Sequence, residues 1–97
     1  MDPMTADTLR QTVVITNPQG FHMRPMGAFV AAARRFPGCT VTVTRSGMAP
    51  VDGKNMLSLM GLVAVQGVDL VIEVSGPAAG EALQALALVF ERNFDEE

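Results

Sequence analysis

Residues 39 to 45 read CTVTVTR, and no other stretch narrows the possible folds as much. In an extended backbone successive side chains point to opposite faces, so Cys39, Val41 and Val43 form an apolar row while Thr40, Thr42 and Thr44 form a polar one. A strand with one buried face and one wet face belongs in an antiparallel sheet whose second face is open to solvent. Amphipathic helices must then cover the apolar row.

The rest of the chain supplies those partners. QTVVIT at 11 to 16 is rich in β-branched residues and stops at the turn formers NPQG, which predicts a first strand. From 25 to 36, Met26, Phe29, Val30, Ala33 and Phe36 recur at helical spacing, and Pro25 suits a first helical turn. Pro37 and Gly38 end that helix before the alternating strand begins. Ser46-Gly47 predicts a turn into a short strand over 48 to 51, where Pro50 lacks a ladder donor and indicates an edge. Asn55 is a good N-cap for a short helix carrying Met56, Leu57, Leu59, Met60 and Leu62. LVIEVS at 70 to 75 predicts another strand, and a final helix over 78 to 94 carries Leu83, Leu86, Val89, Phe90 and Phe94. The expected order is β-α-β-β-α-β-α. It is an α+β fold, a four-stranded antiparallel sheet with three helices on one face. Residues 1–10 read as a polar leader and 11–97 as a single domain.

Composition excludes several functions. A chain of 97 residues, 48% hydrophobic, can build one core but no deep internal cavity, which places function on the surface. With a formal charge of −3, no basic run and only five aromatic residues, it lacks the material to hold nucleic acid. Cys39 stands alone, so no internal disulfide is expected, and with His22 the only histidine there is no credible metal site. Cys39 reads as a small buried hydrophobe. The near-apolar stretch at 56 to 65 falls short of the ~20 residues a membrane span requires. The acidic leader lacks the basic-then-apolar order of an export signal. These features predict a soluble, cytoplasmic protein that needs no cofactor.

The sole histidine lies in GFHMRPM, residues 20 to 26, where strand gives way to helix. A histidine at such a junction is often no more than a solvated residue or a cap. Its neighbours argue for more. The first amides of a helix have no intrahelical acceptor and the helix dipole puts partial positive charge there, so the position suits an anion. Arg24 adds planar cationic donors, Gly20 permits a turn that a Cβ would hinder, and Pro25 fixes φ without removing a needed donor. A helix terminus stabilises an anion by about 0.3 to 2 kcal/mol. Each hydrogen bond to a charged group adds about 1.5 to 3 kcal/mol. Together these hold a phosphoryl group steadily without making it permanent. Imidazole is largely neutral at cytoplasmic pH and attacks phosphorus without a separate base. No second histidine or carboxylate lies in the motif, so a carrier whose partners complete the chemistry fits better than a stand-alone enzyme. A second class stays open: a noncatalytic module in which GFHMRPM binds a free anion or merely caps a helix.

GFHMRPM resembles the active-site signature of the HPr family, the histidine-containing phosphocarriers of the phosphoenolpyruvate-dependent phosphotransferase system. The likeness runs from about residue 12 to 94 and includes KNMLSLMGL in the position of the family's second helix. It implies an open-faced β-sandwich in which His22 corresponds to the histidine phosphorylated at Nδ1. Arg24 corresponds to the arginine that assists transfer, and the Met23 and Arg24 amides, with Gly20, receive the phosphate. The implied partners are enzyme I as donor and an EIIA-type protein as acceptor, in sugar uptake or its regulation, and a carrier docking two partners in turn is expected to be a monomer. Met23, Met56, Leu57, Met60 and Arg34 are the expected docking residues, the methionines forming an adaptable apolar patch. Met26 and Leu59 are assigned to the core.

The chain departs from the family pattern at three places. Gln19 stands where a shorter polar residue is usual. Basic residues after the motif are few, Arg34 and Arg35 being the main ones, which implies weaker electrostatic steering. At the start of the second helix, where many family members carry a serine phosphorylated by a regulatory kinase, this chain has Asn55, which keeps the cap and removes the hydroxyl. That absence and the ending FERNFDEE resemble the nitrogen-related branch of the family. Neither Ser46 nor Ser58 sits at the regulatory position. Incubation with that kinase and ATP should therefore leave the chain unmodified, and mass spectrometry showing a phosphate in the peptide at this helix start would contradict the expectation.

Overall fold

The computed structural model describes residues 8–92. Seven elements follow in the expected order: β1 (Thr8–Val14), α1 (Met23–Arg34), β2 (Thr40–Arg45), β3 (Val51–Asp52), α2 (Met56–Met60), β4 (Asp69–Ser75) and α3 (Ala79–Arg92). The strands form one antiparallel sheet in the order β1-β4-β2-β3. Because β4 lies between β1 and β2, its apolar row, Leu70, Ile72 and Val74, is wholly buried. The alternation of β2 behaves as its sequence requires, with Val41 opposite Val74 and Val43 opposite Ile72 in the same buried layer. Cys39 is buried and free.

Helices cover this face and leave the other open, so the architecture is the expected α+β sheet with three helices. Phe29, Val30 and Ala33 of α1 meet Ala82, Leu86, Val89 and Phe90 of α3 in one core. Phe21, from the loop before α1, joins them. Its ring is 5.9 Å from Phe29 at 82° and 5.2 Å from Phe90, and Phe29 and Phe90 are 5.8 Å apart. The Phe21–Phe29 and Phe29–Phe90 pairs are edge-on, which suits the charge distribution of aromatic rings and adds to the apolar burial.

Element boundaries shift for local reasons. The first strand begins at Thr8 rather than at residue 11, since the full length of β4 offers partners as far as Ser75. The last residues of the expected leader therefore belong to the sheet, and Arg10 pairs with Glu73 at 2.7 Å. Helix α1 starts two residues earlier than expected, which puts Pro25 third in the helix, still within the turn that needs no intrahelical N–H donor. It ends before Phe36 because Pro37 disfavours helical backbone in the residue preceding it. Phe36 sits half-buried beneath the Arg35 guanidinium, 5.6 Å from the ring centre. The strand expected over 48 to 51 shrinks to Val51 and Asp52, pairing only with β2. Pro50 accounts for this, having no N–H to give the ladder. Phe94, expected on the last helix, lies outside the described residues. Among the described residues no helix is long and apolar enough to cross a membrane.

The link from β4 to α3 turns at Gly76, whose φ of +128° is open to glycine but strained for L side chains. A Cβ there would lie 2.6 Å from the Gly38 carbonyl oxygen. Gly76→Ala should lower the unfolding free energy by about 1 to 3 kcal/mol, read as a reduced urea midpoint with unchanged slope.

Candidate functional site

The site is built on a loop whose two neighbouring residues face opposite ways. Phe21 goes inward to the aromatic core at 4% exposure. His22 is left half-buried at the surface as the N-cap of α1. Its backbone is extended there and its side chain does not cap the helix, while its carbonyl accepts the Met26 amide at 2.9 Å. The ring's Nε2 is buried. The first turn of α1 contains no acidic residue to neutralise its positive end. Met23 and Arg24, the first two helical residues, are both exposed beside His22.

Several contacts fix this loop. The Phe21 amide donates to the Ala64 carbonyl at 2.9 Å, and the His22 amide to the Gly20 carbonyl at 3.0 Å. Asn17, 6% exposed, donates from Nδ2 to that same Gly20 carbonyl at 3.1 Å. Gly20 itself has φ +73°, and a Cβ on it would lie 2.7 Å from the Ala64 oxygen. Its amide donates to the Asn17 carbonyl at 3.1 Å, and the glycine lets two backbones touch.

The expected docking residues separate in the folded chain. Met23 is 66% exposed, Leu57 78% and Met60 46%, so three of them are presented to solvent. Met56 differs, being half-buried against the core because α2 turns it inward with Leu59. Met26 and Leu59 are buried, as their spacing indicated. Arg34 is exposed, yet its Nε and Nη2 both donate to the Lys54 carbonyl, at 3.1 and 2.9 Å. Lys54 in turn donates from Nζ to the Phe36 and Cys39 carbonyls at 2.9 and 2.6 Å, joining the end of α1 to the approach to α2. Asn55 caps α2 by accepting the Ser58 amide at 3.1 Å.

A model for the phosphotransferase-system HPr component phosphorylation site matches residues 9–92. This chain belongs to the HPr family. It is 38% identical to phosphocarrier protein HPr of Pseudomonas aeruginosa over 84 residues, spanning 87% of this chain and 92% of that one. It is 30% identical to phosphocarrier protein NPr of Escherichia coli K12 over 90 residues, spanning 93% of this chain and 99% of that one. Among solved structures, HPr-C-His from Thermoanaerobacter tengcongensis superposes with a TM-score of 0.77 at 31% identity, covering 92% of this chain and 98% of that one.

Reasoning from the HPr motif alone misses the far wall of the site. Ala64 and Val65 carry no chemistry in their side chains, and only the fold brings their backbone against Gly20 and Phe21. Val63 and Val65, 64% and 56% exposed, extend the apolar surface of Leu57 and Met60 past the end of α2. Asn17 has a signal of a kind, a polar residue in a turn, but nothing in the order of residues shows that it is buried. Gly20→Ala should lower the melting temperature by at least about 4 °C, the shift expected for the loss of ~1 kcal/mol in a domain this small, and should displace the His22 ring resonances in NMR spectra.

Proposed function

We propose that this chain, a phosphocarrier of the phosphotransferase system, bears its phosphoryl group on Nδ1 of His22. The observation that carries the assignment is the position of His22 at the N-terminus of α1 with its imidazole not used as the cap. Phosphorylated enzyme I is the donor. The Nδ1 lone pair attacks phosphorus in line as the bond from phosphorus to the donor nitrogen breaks, through a loose transition state in which positioning and charge stabilisation dominate. The Met23 and Arg24 amides and the Arg24 guanidinium receive the phosphoryl oxygens at the positive end of the helix. An EIIA-type acceptor then removes the group by the same exchange in reverse.

Docking of both proteins uses Met23, Leu57 and Met60 in turn, with Met56 at the inner margin. Arg34 acts mainly by fixing α2 through Lys54 and only secondarily as a charge for an acidic partner. The carrier works as a cytoplasmic monomer. Asn55 keeps α2 capped and removes the phosphorylatable hydroxyl from that position, which supports service in the nitrogen-related branch.

A noncatalytic module of the same fold is the other reading, and the uncapped imidazole counts against its simplest version, in which His22 merely caps α1. With enzyme I and labelled phosphoenolpyruvate, the wild-type chain should acquire acid-labile, base-stable label, and His22→Gln should acquire none. Failure of the wild type to label beside an active control carrier would favour the module instead.

A further inference from the structure

Val63 is the sole non-glycine residue with positive φ among the described residues, at +49°. For a β-branched side chain this conformation is a genuine outlier. Backbone outliers persist only where surrounding structure over-determines them. Here the surrounding structure is Arg45, the last residue of β2, whose half-buried side chain donates from Nη1 to the Leu62 carbonyl at 2.8 Å and the Val63 carbonyl at 2.7 Å. The next carbonyl along the chain, that of Ala64, accepts the Phe21 amide at 2.9 Å, and Gly20 packs against that same oxygen and Val65. From the guanidinium to the residue preceding His22 the contacts are therefore continuous: Arg45 to 62 and 63, the left-handed corner, then Ala64 to Phe21.

We propose that Arg45 is a positioning residue for phosphoryl transfer, holding the strained Val63 corner so that the Ala64 carbonyl fixes the loop that presents His22. The proposal rests on His22 being the phosphorylated residue. A charged nitrogen bearing two N–H donors suits the task because two carbonyls held by one nitrogen set the angle between successive peptide planes, which one neutral contact would leave free. A displacement of about 1 Å at a reacting group can cost roughly 100-fold in rate, so a small relaxation of the corner is enough to matter.

The variants Arg45→Met, which keeps an apolar stem without the donors, and Val63→Gly, which takes a left-handed φ without strain, test this alone and combined. In Arg45→Met, amide hydrogen exchange at Phe21 should accelerate by more than that at Ile72 of the central strand, and transfer from enzyme I should slow by at least about tenfold, within the range a small misplacement allows. Glycine at 63 should restore most of both in the double variant, since the corner then stands without the clamp. Arg45→Lys, retaining one donor group, should lie between, and serves if the methionine variant does not fold. Equal acceleration at Phe21 and Ile72, an unchanged transfer rate, or no rescue by glycine would each overturn the proposal. A wild-type chain that accepts no phosphate would overturn the carrier reading and the role in transfer. The exchange measurements, which need no phosphate, would still show separately whether Arg45 and Phe21 are coupled.

Discussion

Burial of Phe21 is the constraint on which the rest of the structure depends. A ring locked between Phe29 and Phe90 cannot turn outward without opening the core shared by α1 and α3. With Phe21 inside and its amide tied to Ala64, the following residue is left at the surface at the moment the chain enters a helix. His22 is thus placed by its neighbour's hydrophobicity and by a backbone contact, not by bonds of its own ring to a cap.

Around that anchor the polar contacts fall into two sets. Asn17, Gly20 and Ala64 set the loop before the helix, while Arg34 and Lys54 join the end of α1 to the approach to α2. Both sets work through backbone carbonyls, which offer fixed acceptors wherever regular hydrogen bonding stops. Leu57 and Met60, on the helix these contacts lead into, are exposed. The departure at Asn55 fits this arrangement, since the asparagine keeps α2 capped without introducing a hydroxyl that could gain charge.

Strand and helix types were legible because their periods are local. CTVTVTR and LVIEVS carry the period of a strand, and the stripes of α1 and α3 carry the period of a helix. Where the reading slipped, a contact made elsewhere decided the outcome. Thr8 joined β1 because β4 offered it a partner. Met56 turned inward because it lies three residues before Leu59 and shares its core-facing side of α2.

By itself, the amino-acid sequence determined which residues seek water and which avoid it, where turns and caps fall, and that the single histidine stands where strand gives way to helix. It also carried GFHMRPM, the motif by which the chain resembles the HPr family. Only the tertiary structure decided that Ala64 closes behind the motif, that Arg34 points its donors at Lys54, and that Arg45 reaches the Val63 corner. These contacts join segments far apart in the chain and run largely through backbone atoms, which are alike in every residue and so leave no mark in the order of side chains.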